Sequence, residues 1–237
     1  MSSIQLIVDR QLRRWEAERL AALEAARAGR TAPRIAPARP TVTVSRQEGL
    51  RGEAIAQALA ARLGYELFDR QIIEYIATHH DVHRQMLEML DERTISSIKL
   101  WAEGIVHRQH VDQADFLRFL SKTVRGIHAH GGAVILGRGA NFLLADSRAF
   151  RVQLVAPLAE RVKTHMAERG FADAEAARHE LLALDAERSD FIRRFYHADW
   201  ADPGAYDLSL NVAGLPAEAA AAIIAQAMES FLAARWP

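Results

Sequence analysis

The stretch from Thr41 to Gly64 constrains this chain more than any other. Thr41-Val42-Thr43-Val44 is β-branched throughout, which suits a buried strand of a parallel sheet. Ser45-Arg46-Gln47-Glu48-Gly49-Leu50-Arg51-Gly52 follows as a polar turn. Ile55, Ala56, Leu59, Ala60 and Leu63 then recur at helical spacing, and Gly64 marks the helix stop. A strand, a glycine loop and a helix together aim bare backbone N–H groups and the positive end of a helix dipole at an anion such as phosphate.

The same segment departs from the full phosphate loop, G-x-x-x-x-G-K-[ST], in which lysine reaches the outer phosphates and the hydroxyl binds Mg²⁺. The chain contains no Gly-Lys pair, and Glu53-Ala54 follow Gly52. Gly49 and Gly52 still allow close backbone approach. Ser45, Arg46, Gly49, Arg51 and Gly52 are therefore the candidate phosphate contacts, with Arg46 and Arg51 supplying the missing positive charge. The alternative is an ordinary tight turn between strand and helix.

The remaining elements follow from hydrophobic period. Ile4 to Ala28 reads as one helix with Ile4, Val8, Leu12 and Trp15 on one face and Gly29 as its cap. That face must be buried, either on the helix's own domain or against a second copy in a homodimer. Residues 31–40 carry Pro33, Pro37 and Pro40 and read as a linker, so the main domain spans 41–237. Strands are expected at Tyr65–Phe68, Ala133–Leu136, Phe150–Val155 and Tyr206–Val212. Helices are expected over Arg70–His80, most of Asp81–Arg125, Pro157–Arg169, Ala174–Phe195 and Pro216–Ala234. Strands alternating with helices argue a parallel α/β sheet covered on both faces, with ligands at the carboxyl ends of the strands. Those ends hold Ser45 to Gly52, Asp69-Arg70, Gly137-Arg138-Gly139 and the loop after Val155.

Formal charge is zero, so no global field recruits nucleic acid or an acidic membrane, and aromatic platforms for nucleic acid are lacking. Lys99, Lys122 and Lys163 are the only lysines. The absence of cysteine excludes disulfides and thiolate chemistry and suits a reducing cytoplasm. Neither a signal peptide nor a membrane span is expected. His79 and His83 are four apart and His107 and His110 three apart, yet no H-E-x-x-H occurs, so no metal site is expected. Asp185 and Arg188 share a helical face, Arg193 lies roughly on the same side, and Arg194 points away. Such a run is either a solvated charged face or a set of phosphate clamps.

Several blocks together resemble the cytidylate kinase-like family, a divergent branch of the P-loop nucleoside monophosphate kinases. They are Val44-Ser45-Arg46-Gln47 with Gly49 and Gly52, Gly64 to Asp69, Ala133 to Leu144, Arg151, Pro157, Glu160-Arg161, Asp185, Glu187-Arg188, Asp202-Pro203, Tyr206-Asp207-Leu208 and Asn211. The resemblance implies a P-loop NTPase-type, five-stranded parallel sheet, a helical insertion over Arg70–His130 and a lid over Asp173–Asp202. It implies transfer of the γ-phosphoryl of ATP, with Mg²⁺, to a nucleoside monophosphate such as CMP or dCMP. Asp69 and Arg138 would contact the acceptor, and Arg161, Arg188 and Arg193 would clamp phosphates, with Arg194 as a further member. The branch commonly carries a loop resembling G-S-G-G-R-E where this chain has Gly49-Leu50-Arg51-Gly52-Glu53-Ala54. The alternative function is accordingly a weak or inactive kinase fold acting in nucleotide sensing or protein association.

Overall fold

The computed structural model describes residues 3–28, 39–90, 92–106 and 111–235. The chain divides into two compact units, Met1–Pro40 with Phe68–Ala133 and Thr41–Leu67 with Val134–Pro237. The helical insertion expected over Arg70–His130 thus shares a unit with the N-terminal helix, while the strand–loop–helix segment belongs to the other.

The second unit is built on a sheet of order β2-β3-β1-β4-β5. Its strands are β1 (Thr41–Arg46), β2 (Glu66–Phe68), β3 (Ala133–Leu136), β4 (Ala149–Val155) and β5 (Leu208–Asn211). Val44 pairs in parallel with Leu136 on one side and Val152 on the other, and Leu154 pairs in parallel with Leu210. All six residues of β1 are buried or half-buried, as a central strand of a two-faced sheet requires. α2 (Gly52–Leu63) and α10 (Ala217–Arg235) pack together, placing Ile55, Leu59, Ile224 and Met228 in one core with Val42, Val44, Phe150 and Val152. The short α7 (Ala140–Leu143) lies against β1 and β4. α8 (Leu158–Arg169) and α9 (Ala174–Tyr196) form a hairpin whose own core is Val162, Ala177 and Leu181.

Local chemistry explains the element ends. Gly64 sits at φ 63° and its N–H bonds back to Ala60 and Ala61 carbonyls, the left-handed cap that ends α2. Asp173 accepts from the N–H groups of Glu175 and Ala176 and starts α9. The end of β1 moves: Ser45 and Arg46 are not turn residues but its last two, because Gln153 and Leu154 of β4 are there to pair with them. No membrane span was expected, yet α10 is long and apolar enough to cross one by length and composition. Ala220, Ala221, Ile224, Ala225 and Met228 bury one of its faces in the sheet unit.

In the first unit, the helix expected over Arg70–His80 ends two residues early, and the helical stretch expected from Asp81 opens at His80. α3 (Arg70–Thr78) ends where His79 turns extended, and α4 (His80–Glu88) begins after it. α5 (Glu92–Val106) and α6 (Val111–His130) complete the insertion. α1 (Ser3–Arg27) buries Val8, Leu12 and Trp15 within this unit, with Trp15 stacked on His130 at a centroid distance of 3.9 Å. The apolar stripe of α1 is therefore covered by its own chain, while Leu6, Leu20 and Leu23 remain exposed. The Gly29 cap and nearly all of the linker lie outside the described residues.

Candidate functional site

At the carboxyl end of β1 the chain crosses from Gln47 to Arg51 and enters α2, and the glycines there make room for other elements. A Cβ on Gly49, which sits at φ 74°, would lie 2.5 Å from the Arg161 carbonyl oxygen. Gly49 thus admits the backbone of α8 as well as supplying the turn. A Cβ on Gly52 would lie 2.1 Å from Cδ of Arg46, so the Arg46 side chain runs directly across the start of α2. Its Nη2 reaches Glu53 Oε1 at 3.2 Å.

Two of the expected arginines, Arg161 and Arg188, converge on this loop through carboxylates. Asp185 of α9 is the hub. It accepts from the Glu48 N–H at 2.9 Å, from Arg188 Nη1 at 3.2 Å, and from Arg161 Nη1 in a short contact. Arg161 Nη1 also reaches the Glu48 carbonyl at 3.4 Å. Arg188 Nη2 makes a short ion pair with Glu48 Oε2. The Arg161 and Asp185 side chains are only 7% and 13% exposed, so this pair is largely removed from water.

Electrostatics follow that geometry. Burial first, then the charge of Arg188, holds the Arg46 guanidinium below its ordinary value, while Glu53 and Glu48 pull it back up. Burial would raise the Glu48 carboxyl, but the hydrogen bond and charge of Arg188 and the charge of Arg46 outweigh it and hold it low. The positive charge of Arg188 thus bears on Arg46, and the Glu48 carboxylate acts on Arg46 and pairs with Arg188.

The other candidate residues are placed differently. Ser45 is buried, and its Oγ accepts from the Trp200 indole N–H at 2.8 Å. Tyr206 donates to the Trp200 carbonyl at 2.8 Å and completes that lock. Arg51 occupies the left-handed region at φ 50°, a conformation ordinarily left to glycine, and pairs at 3.6 Å with Glu168. Glu53 is exposed and pairs with Arg46. Arg193 is exposed and pairs with Asp190 on its own helix, outside the Asp185 cluster. Arg194 lies 5.7 Å from the ring of Phe195.

Arg138 also holds a positive φ, 56°, between Gly137 and Gly139. Its carbonyl accepts from the Tyr196 hydroxyl at 2.9 Å, and its guanidinium lies 5.8 Å from the ring of Phe191. A Cβ on Gly139 would lie 2.2 Å from the Tyr196 ring, so the end of α9 rests on the loop after β3. Phe142, Phe191, Tyr196, Trp200 and Tyr206 cluster around that contact and anchor the carboxyl end of α9. In the other unit, Asp69 caps α3, accepting from the Ile72 N–H at 2.9 Å.

Two groups lacked a signal in sequence. Glu48 read as one polar residue of a turn, and nothing local couples it to residue 188. Asp207 sat in a block quoted only for resemblance; it receives the Arg151 guanidinium at 2.7 Å and the Arg151 N–H at 2.9 Å, holding β4 to the approach of β5.

Relieving the strain at Arg51 has a measurable consequence. Arg51→Gly is expected to raise stability by about 0.5–1 kcal/mol, since the exposed pair with Glu168 contributes little and the left-handed penalty disappears. Chemical denaturation of both proteins checks this, and a loss of stability would show that the Arg51 side chain matters more than its backbone.

Relatives share this framework. A cytidylate kinase of Halobacterium salinarum is 27% identical over 194 residues, covering 82% of this chain and 92% of that protein. The crystal structure of an uncharacterized protein from Eubacterium ventriosum superposes with a TM-score of 0.63 at 18% identity, covering 81% of this chain and 99% of that one. The latter likeness is one of fold. The cytidylate kinase-like family profile matches residues 41–213. That segment runs from the first residue of β1 past the end of β5 and contains the glycine loop, the Asp185 hub and the arginines of α8 and α9, and on that match the chain belongs to the cytidylate kinase-like family.

Proposed function

We propose that this protein transfers the γ-phosphoryl group of ATP, taken as its Mg²⁺ complex, to a nucleoside monophosphate, with CMP or dCMP as the acceptor. The observation that supports this most directly is the convergence of Arg161 and Arg188, with Arg46 beside them, on the glycine loop after β1. Guanidinium groups gathered around free backbone N–H groups at a helix start suit an anion carrying several charges. In the reaction an oxygen of the acceptor phosphate attacks the γ-phosphorus, the bond to the β–γ bridging oxygen breaks, and ADP leaves. The acceptor is already ionised, so no side chain need take a proton; positioning and charge neutralisation carry the rate.

In this reading the N–H groups from Gly49 onward and Arg46 receive the donor phosphates, and Arg188 and Arg161 neutralise the group in transfer. Arg193 is a peripheral clamp that needs a lid movement to join them. Ser45 acts by holding the loop's first strand through Trp200. Arg138 contacts the acceptor. Mg²⁺ belongs to the substrate: among the described residues no three histidines or carboxylates gather to hold a metal. Ala54 also lacks the hydroxyl that a full loop offers. The lack of cysteine suits a cytoplasmic setting.

A second reading is favoured by one specific feature. Arg46, Arg51, Arg161 and Arg188 are each already paired with a carboxylate of the chain. A scaffold of this kind could bind nucleotide weakly and serve association instead, through the exposed Leu6, Leu20 and Leu23 of α1.

Calorimetric titration with Mg·ATP and with CMP, followed by a coupled ADP-release assay on the same sample, separates the two. Binding of both with CMP-dependent ADP release, lost in Arg138→Ala, is the expected result. Folded protein that binds CMP and never releases ADP at saturating ATP would establish the second reading.

A further inference from the structure

We propose that the Glu48 carboxylate is a built-in occupant of the donor-phosphate position, which a polyphosphate must displace before it can bind. This rests on the reading of the loop as a donor site and adds a means by which that site is held closed.

The geometry around Glu48 carries it. The backbone of Glu48 is pinned, its N–H donating to Asp185 and its carbonyl facing Arg161 Nη1. One of the loop's N–H groups is therefore turned away from any phosphate. Its side chain is pinned as well, by the Arg188 guanidinium. Arg188 approaches from the lid helix, so one carboxylate ties the loop to the element that would close over a bound triphosphate. The charge of Arg188 lowers Arg46 while the Glu48 carboxylate, itself paired with Arg188, raises it, which is the place an oxyanion would take. Glu53 completes the arrangement by neutralising Arg46 from the solvent side. The loop thus carries its own anion in the midst of its own cations, and an incoming phosphate competes with a tethered ligand of high effective concentration.

Four proteins test this: the full chain, Glu48→Gln, Arg188→Ala and the double variant. The probes are inorganic tripolyphosphate and Mg·ATP, titrated calorimetrically at low ionic strength. Glu48→Gln keeps the side-chain shape and removes the charge. It is expected to bind tripolyphosphate about tenfold more tightly than the unmodified chain, or more, because an intact charged pair no longer has to be broken. In the Arg188→Ala background the same substitution is expected to gain no more than about threefold, the part owed to simple repulsion at a solvated distance. Equal affinity of the chain and Glu48→Gln would overturn the proposal, as would a gain that is undiminished without Arg188. Glu48→Ala gives an independent removal of the charge should the glutamine variant fold poorly, with the thermal midpoint as the check.

An ADP-release assay with CMP on the same samples separates this idea from the transferase reading. Tighter binding by Glu48→Gln with no transfer by any variant would uphold the latch and reject transfer to CMP. Transfer by the unmodified chain with unchanged affinity in Glu48→Gln would do the reverse. Absence of tripolyphosphate binding in all four proteins would reject both.

Discussion

Asp185→Ala is expected to lower the thermal midpoint by about 10 °C, through a loss of roughly 3–5 kcal/mol. The size follows from what the substitution leaves behind. Arg161, 7% exposed at its side chain, would be left with the Glu48 carbonyl, 3.4 Å away, in place of a carboxylate. The Glu48 N–H would lose its acceptor, and Arg188 would lose one of its two carboxylates. Breaking a buried pair by removing one member is costlier than never having built it, because the remaining charge stays where water cannot reach it. Asp185→Asn retains an acceptor oxygen and is expected to cost about 1–3 kcal/mol. Circular dichroism melts of the three proteins check the order, and a shift below about 2 °C for the alanine variant would mean that the hub is more solvated than its exposure indicates. Because Asp185 also orients Arg188, the alanine variant should lose phosphoryl transfer even at temperatures where it remains folded.

Acidification should unfold the helical unit through two histidines. Burial first, with the charges of Lys122 and His80, lowers His83 from 6.5 to about 4. Burial also lowers His130 to about 4, against a raising hydrogen bond to the Met86 carbonyl. Both therefore stay neutral in the fold while the unfolded chain protonates them near 6.5. A depressed value means stability that is complete above the unfolded value and is lost as pH falls toward about 4. Each histidine is expected to remove about 2–3 kcal/mol across that window, so the pair together removes roughly 5 kcal/mol. His130 is stacked on Trp15, and His83 lies edge-on to Phe119, so protonation strikes the contacts that hold α1 and α4. Denaturant midpoints at pH 7.5 and 4.5 give the loss for the chain, and the double variant His83→Gln with His130→Gln should show a smaller drop over the same interval. Equal drops would assign the acid sensitivity to carboxylates elsewhere.

What could be read from the sequence was whatever a short window encodes. The strand Ala133–Leu136 matched its four-residue apolar run, and α2 ended at the glycine that its period demanded. The α/β class and the parallel sheet followed from alternation of such windows, each of which reports its own period regardless of the rest of the chain. Even the Asp185–Arg188 pair was legible, because three residues along a helix return a side chain to the same face. Boundaries were less so. Ser45 and Arg46 became strand only because β4 offered partners, and the strand expected over Tyr206–Val212 shortened to Leu208–Asn211.

The contents of the site belong to tertiary structure. Glu48 meets Arg188 and Asp185, Trp200 meets Ser45, and Tyr196 meets the Arg138 carbonyl, all across long separations in the chain. No periodic pattern links such positions; they meet because α8, α9 and the loop after β1 are packed within a side chain's reach of one another. The sequence by itself determined that arginines and glycines would gather at the carboxyl edge of a parallel sheet. Only the packing decided which carboxylate neutralises each arginine, because a charge pair depends on distances of a few ångströms that local propensity does not control.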